Sequence, residues 1–426
     1  MFEEVVAVAP GADEASLIAR IGELEKLKSA AAAAQARAAA AFVALRLAAE
    51  EAAGVPSRLR GRGVSAEIAL ARRDSPARGR RHLGFAQALL HEMPHTLAAL
   101  ETGALSEWRA TLIVRESACL NLEDRRALDA EMCADPARLD GLGDRRIAAE
   151  ARAIAYRLDP RAVVDRAVRA ESERTVTLRP APDCMTYLTA LLPMAQGVSA
   201  YAALTRAADA CGDGRARGQV MADTLVERVT GRAAAQAIPV AVNLVLSDES
   251  LLAGSDAPAA VPGYGPIPAG VARWLISAAA RDRESRASLR RLYRHPRSGA
   301  LVAMESRSRR FPSGLARFIA LRDDSCRTPY CDAPIRHVDH ATPACRGGPT
   351  DAENGSGRCE ACNYAKEARG WTVVTHTDAD GTHTAVLTTP TGTTHSSTAP
   401  PIAGLPRVDI CTVERQIGVV LARHVA

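Results

Sequence analysis

RDDSCRTPYCDAPIRHVDHATPACRGGPTDAENGSGRCEACNYAKEARGW, residues 322–371, carries two cysteine pairs, Cys326-x4-Cys331 and Cys359-x2-Cys362, with an Asp339-His340 dipeptide and a lone Asn354 between them. Thiolates are soft ligands, and two short-spaced pairs set roughly 15 to 30 residues apart supply the tetrahedral set that zinc takes from a small loop-rich element. Residues 335–340 read as a short strand, Gly347-Gly348-Pro349-Thr350 as a loop, and residues 360–369 as a helix opened by the second cysteine pair. Strand, loop, strand and helix with metal ligands at the ends make a ββα unit wrapped around a candidate general base.

Thirteen residues separate His340 from Asn354, and eight separate Asn354 from Asn363. With the Asp-His pair and the two cysteine pairs, these positions resemble the HNH nuclease family, whose treble-clef-like ββα-metal fold cuts phosphodiester bonds. The resemblance places the first His on His340, the central Asn on Asn354 and the last metal-binding position on Asn363, where Asn stands in place of the commoner His. It implies that Asn354 holds the loop and the base in orientation.

The chemistry can be stated independently. Phosphodiester hydrolysis needs a base to deprotonate water, a cation to stabilise charge on the phosphoryl group and leaving oxygen, and a scaffold that aligns them. An imidazole with a reference pKa of about 6.5 makes His340 a competent base at neutral pH. Asp339 and the side-chain carbonyl of Asn363 are hard oxygen ligands suited to Mg²⁺ or Mn²⁺. An amide oxygen is a poorer ligand than imidazole for borderline metals, so the site leans away from Zn²⁺ and Ni²⁺. Should Asn363 fail to ligate, the unit is expected to persist as a zinc-stabilised DNA-binding module without cleavage.

The cysteines alone also fit a zinc ribbon that only holds structure; the Asp-His pair, the Gly-Gly-Pro-Thr loop and the spaced asparagines favour the nuclease type. His337, three residues before His340, points to the opposite strand face, which suits packing or phosphate contact. Cys345 has no partner at ligand spacing and reads as a spare thiol.

The whole chain is only +5, with 54 basic and 49 acidic residues. Between Arg273 and Gly370, however, 19 basic residues face 11 acidic ones, a net of +8, which leaves the remainder net negative. The tracts at 281–297 and 307–310 are Arg-rich and directly precede the cysteine motif. Lysine occurs only at positions 26, 28 and 366. Arg makes bidentate contacts to phosphate and so suits backbone binding without sequence reading; the candidates beside the motif are Arg322, Arg336 and Arg358. The Arg preference itself is also what a GC-rich coding sequence produces, so it is the clustering that points to DNA.

With 426 residues, two or three domains are expected. Hydrophobic residues at 47% are ample for cores, which aromatics at 4% leave to Ala, Leu and Val. No run of eighteen uncharged apolar residues occurs and the first residues are acidic, so neither a membrane span nor a secretory signal is read. Ten cysteines, four of them in a metal pattern, fit a reducing cytoplasm.

After Asp13 an Ala-rich helix is expected, with Leu17, Ile21, Leu24 and Leu27 on one face and an end at Gly54-Val55-Pro56; it packs on other helices or pairs with a second copy of the chain. Residues 58–82 hold eight Arg against two acids, either a second DNA-contacting surface or a solvated helix face. Further helices are expected to start near Ser75, Met93, Ser106 and Asn121. His91 and His95 are spaced for a metal pair, but Pro94 marks a helix boundary between them. Residues 175–179 and 239–246 read as strands, 184–211 and 217–233 as helices, and 252–268 as a loop or linker. After Trp371 a hairpin with an Asp-Gly turn is expected, followed by an extended, mobile Pro- and Thr-rich stretch over 389–406. Residues 88–117, 191–210 and 389–401 also resemble a bacterial repeat-element family, thirteen-E-twelve, in which a helical domain of unknown function precedes an HNH unit.

The expected organisation is a mainly α region over 1–174, a small mixed α/β unit over 175–275, a basic connector over 276–320, the zinc-stapled HNH unit over 321–371 and a hairpin with flexible tail over 372–426. The expected activity is that of a cytoplasmic, metal-dependent endonuclease acting on DNA, with structural Zn²⁺ and catalytic Mg²⁺ or Mn²⁺. The alternatives are a catalytically inactive DNA-binding protein and a helical oligomeric scaffold with a structural zinc.

Overall fold

The computed structural model describes residues 5–8, 11–233, 244–246, 250–251, 255–262, 264–281, 311–379 and 381–401. The chain divides into two compact units, Met1–Glu173 and Arg174–Ala426.

The first unit is helical. Asp13 has extended backbone and its carboxylate accepts from the Ser16 N–H at 2.8 Å, an N-cap that starts α1 (Glu14–Ala52). There follow α2 (Val64–Ala71), α3 (Pro76–His91), α4 (Pro94–Glu101), α5 (Glu107–Ser117), α6 (Leu122–Cys133), α7 (Asp144–Leu158) and α8 (Pro160–Ala170). Ser106 and Asn121 cap α5 and α6, and Pro occupies the first turn of α3, α4 and α8, where its missing N–H costs nothing. His91 closes α3 and His95 lies in the first turn of α4, so the two belong to different helices. Among the described residues α1 is the one helix long and apolar enough to cross a membrane by length and composition. Its Ser29, Ala32, Ala33 and Ala36 are buried, and these small side chains let α3 and α4 pack closely against its middle. Leu89, Met93, Leu100, Ile113, Leu128, Met132 and Ile147 fill the core behind them.

One buried carboxylate ties this core together. Met93 precedes α4 and has no side chain able to cap it, so the N–H groups of His95 and Thr96 need another acceptor. Asp129 of α6 supplies it from across the bundle: its oxygens accept from His95 N at 2.7 Å, Thr96 N at 2.8 Å and the Thr96 hydroxyl at 2.6 Å. The same hydroxyl contacts the Cys133 sulfur at 3.4 Å, and burial pushes that thiol up to about 11.

The second unit opens with an antiparallel hairpin of β1 (Thr175–Ala181) and β2 (Met185–Leu191), Thr175 opposite Leu191. The helix expected over 184–211 therefore begins only at Met194, because Met185-Thr-Tyr-Leu-Thr-Ala-Leu191 pairs with β1 and strand pairing overrides its local helix propensity. Helices α9 (Met194–Asp209) and α10 (Arg217–Thr230) follow. The expected loop over 252–268 contains a second short hairpin, β3 (Ala259–Val261) with β4 (Gly265–Ile267), bridged by Val245 to Ala260. Next comes α11 (Ala269–Arg281). Of the strand expected over 239–246 only 244–246 is described, and apart from Arg281 the Arg-rich tracts at 281–297 and 307–310 lie outside the described residues.

The cysteine segment is preceded by α12 (Ser313–Asp323) and contains β5 (His337–His340), β6 (Gly355–Arg358) and α13 (Glu360–Lys366). β5 and β6 are antiparallel, His337 opposite Arg358 and His340 opposite Gly355. A Cβ at Gly355 would lie 2.3 Å from Ile319 Cδ1 and 2.8 Å from a Phe311 ring carbon, so glycine there is what lets β6 lie on α12. The hairpin expected after Trp371 is β7 (Thr372–Thr377) with β8 (His383–Thr388), and within the stretch expected to be extended and mobile, of which 402–406 lie outside the described residues, β9 (Thr394–Thr398) is an ordered third strand of the same antiparallel sheet. His383, Ala385 and Leu387 alternate into its buried face, and the Thr-rich run supplies β-branched residues to an edge strand.

Replacing Asp129 by Ala removes the side-chain acceptor of the His95 and Thr96 N–H groups and leaves the buried Thr96 hydroxyl only the Cys133 sulfur. Chemical denaturation is expected to show the first unit losing about 2–4 kcal/mol of stability.

Candidate metal centre and adjoining His-Asp site

The Sγ atoms of Cys326, Cys331, Cys359 and Cys362 all lie within 4.8 Å of one another and all four residues are buried. The Cys331 and Cys359 sulfurs are 3.7 Å apart. Tetrahedral zinc with Zn–S of about 2.3 Å separates its sulfurs by about 3.8 Å, so the cluster is sized for zinc. The first pair sits in the knuckle before β5, where Cys326 N donates to Ala333 O and Cys331 N to Thr328 O; Cys359 is the N-cap of α13 and its sulfur accepts from Cys362 N. Hydrogen bonds from Cys331, Cys359 and Cys362 drive the Cys326 thiol far below the ordinary range, and its donors Cys331 and Cys362 are driven up in turn. Zinc bound among the four sulfurs would remove that conflict by taking them as thiolates.

The cluster anchors the start of α13, and the register of β5 on β6 brings Asp339 and His340 beside it. The His340 imidazole is buried; Nε2 lies 2.9 Å from the Thr350 hydroxyl, Nδ1 lies 3.7 Å from Asp339 Oδ1, and the Phe311 ring packs on it in a tilted contact with centroids 4.6 Å apart. Asn354 clamps the intervening loop: Oδ1 accepts from Thr342 N at 2.8 Å, while Nδ2 donates to Thr342 O at 3.0 Å and Pro349 O at 2.8 Å. At Gly348 a Cβ would fall 1.8 Å from Thr342 O and 2.8 Å from Asn354 Nδ2, so the clamp admits only glycine there. Asp339 Oδ1 accepts from His340 N at 2.8 Å, and Lys366 Nζ stands 3.0 Å from Oδ2. Burial pushes the Asp339 carboxyl up, but the hydrogen bond and charge of Lys366 outweigh it and hold the group below its usual range. Asn363 Oδ1, one helical turn before Lys366, is buried with no hydrogen-bond partner, which suits a cation ligand.

The three arginines expected to touch phosphate separate into two kinds. Arg336 is exposed. Arg322 and Arg358 are buried, and their guanidiniums are engaged inside the fold, which corrects the phosphate-contact expectation for both. Arg322 donates to Asp323 Oδ1 at 2.8 Å, to Gly355 O at 2.7 Å and to Ala352 O; Arg358 donates to Thr328 Oγ1 at 2.8 Å. Asp323, fully buried, also accepts from Gly357 N at 2.6 Å and pairs with Arg327 at 3.7 Å. Arg327 Nη2 in turn donates to the carbonyls of His383 at 3.2 Å and Ser397 at 2.5 Å, fastening the three-stranded sheet to the cysteine knuckle. His337 is half-buried with its ring 6.5 Å from that of Tyr364, and Cys345 is exposed. Phe311, Asp323, Arg327, Lys366 and His383 carry the site without having stood out in the sequence, and Thr350 is marked there only as the end of the Gly-Gly-Pro-Thr loop. Lys366 alone had a signal, as the one lysine far from the N-terminus.

The chain belongs to the family defined by a domain of unknown function, DUF222, whose model matches residues 23–323. That family is associated with proteins that contain HNH endonuclease domains. The match ends as the cysteine segment begins. No curated protein and no solved structure matches the chain.

Metal analysis of the purified chain is expected to give one zinc per molecule, lost in Cys359→Ser together with the thermal transition of the cysteine segment. A second expectation concerns pH. Burial, with the nearby Arg322 charge, pushes His383 down to about 4, although its Nε2–H donates to Glu353 O at 2.8 Å. The unfolded chain takes up this proton near 6.5 and the folded chain only near 4, so stability present above 6.5 is lost as the pH falls through that window. His383→Gln should show a shallower loss than wild type between those values in parallel melting curves.

Proposed function

We propose that the cysteine segment is an HNH-type, metal-dependent endonuclease that hydrolyses phosphodiester bonds of DNA. The observation that carries this reading is the unpartnered, buried Oδ1 of Asn363, held on the helix that the cysteine cluster anchors and one turn from the lysine that reaches Asp339. A buried amide oxygen without a donor is costly unless a cation completes it. Asp339 and Asn363 are the residues that would hold Mg²⁺ or Mn²⁺, which supplies charge stabilisation at the scissile phosphate.

The remaining steps belong to the chain itself. Thr350 engages His340 Nε2 and Phe311 fixes the ring plane, leaving Nδ1 as the nitrogen that accepts a proton from water. The resulting hydroxide oxygen forms the new P–O bond as the bond to the leaving sugar oxygen breaks, and that oxygen is protonated from solvent. Asn354 keeps the loop bearing Thr350 at a fixed distance from β5. Exposed Arg336 and the Arg-rich sequence before the segment supply phosphate contacts, which makes DNA the partner. The family's association with HNH-containing proteins supports the same reading. A reducing cytoplasm is the matching compartment for a four-thiol site.

A second reading, DNA binding without cleavage, is favoured by one observation: Lys366 already compensates Asp339 without a metal. Plasmid cleavage separates the two. The purified protein is expected to nick plasmid with Mg²⁺ or Mn²⁺ and not with EDTA, and His340→Ala is expected to be slower by about 10²–10⁴-fold while still shifting DNA. A His340→Ala protein that cuts as fast as wild type would defeat the nuclease assignment.

A further inference from the structure

Of the chain's 54 basic residues only three are lysines, so 54 − 3 = 51 are arginines. One lysine stands inside the candidate site. The Lys366 side chain is 3% exposed, and its ammonium pairs with Asp339 Oδ2 at 3.0 Å and with Glu367. A lysine ammonium is a compact point charge on a flexible stem, able to leave one carboxylate for another anion without unpicking a planar fork as arginine must. Here one positive charge faces two carboxylates, a net of −1 that leaves the cluster one positive charge short of neutrality, and the Asn363 Oδ1 on the same helix has no partner. The Asp339 side chain is 34% exposed, which leaves it open to an ion from solvent.

We infer that Lys366 is a resident counter-cation that competes with the divalent ion for Asp339, so that metal binding is weak in the free protein and strengthens when a phosphate takes up the displaced ammonium. The inference rests on Asp339 and Asn363 being the divalent-cation pair. Asp339 Oδ2 cannot keep a 3.0 Å contact to an ammonium and also bind a metal at full strength, because two cations on one oxygen repel. A phosphodiester brought by DNA offers the ammonium a new anion, which makes metal and DNA binding mutually reinforcing.

The test is a Mn²⁺ titration of the zinc-loaded full chain followed by electron paramagnetic resonance, without DNA and then with a phosphorothioate duplex. Lys366→Met, which keeps the apolar stem, is expected to bind Mn²⁺ about tenfold or more tightly than wild type, and Lys366→Arg no more tightly than wild type. The duplex should tighten Mn²⁺ binding to wild type and do so less for Lys366→Met. Lys366→Gln is the second neutral variant should Lys366→Met lose zinc. Equal Mn²⁺ affinity in wild type and the zinc-replete neutral variants, or no Mn²⁺ binding by any of them, overturns the inference. The nuclease reading fails separately: tighter Mn²⁺ binding in Lys366→Met with no cleavage by wild type would remove the nuclease and leave the counter-cation in place.

Discussion

Four buried sulfurs within 4.8 Å of one another set the constraint on which the C-terminal architecture depends. Thiols crowded this closely have too few acceptors for their protons, and a divalent cation resolves the conflict by binding them as thiolates. Closing the cluster joins the knuckle at Cys326 and Cys331 to the first turn of α13, and the chain between must return as β5, a loop and β6. Asp339 and His340 end one strand, while Asn363 and Lys366 lie within the anchored helix. The site is therefore positioned by the four-cysteine cluster, which could close around a metal ion, rather than by a large apolar core, which a segment this short cannot build.

A network of buried charge ties that segment to its neighbours. Asp323 receives Arg322 and the Gly357 N–H, and Arg327 extends the network to the carbonyls of β8 and β9. Burial pushes the Arg327 guanidinium down to about 10, an indication of how fully it is withdrawn from water. Removing one partner from such a cluster leaves an uncompensated buried charge, which typically costs about 3–5 kcal/mol. The three-stranded sheet is thus an integral wall of the site.

The cysteine spacing, the Asp-His pair and the asparagines were legible because metal ligands and loop clamps demand particular residue types at particular separations. Asn354 bonds Thr342 and Pro349 across the loop. The roles of Arg322 and Arg358 were not legible, since nothing in a sequence says whether an arginine beside a motif faces solvent or acceptors inside the fold. The strand at 185–191 and the edge strand at 394–398 were not legible because each is set by hairpin pairing with the strand just before it, which outweighs local propensity, whereas the hairpin after Trp371 was read from its Asp-Gly turn. In the helical unit the caps at Asp13, Ser106 and Asn121 could be read locally, whereas the capping of α4 by Asp129 comes from a different helix and leaves no local trace.

The proposed function requires two distinct cation sites in the cysteine segment, one among the four cysteines and one at Asp339 and Asn363. Anomalous diffraction from crystals of the zinc-loaded chain soaked in excess Mn²⁺ tests it directly. The account predicts a zinc peak among the four cysteine sulfurs and a separate manganese peak in contact with Asp339 and Asn363. A zinc peak alone, with Lys366 still on Asp339 at saturating Mn²⁺, would contradict it.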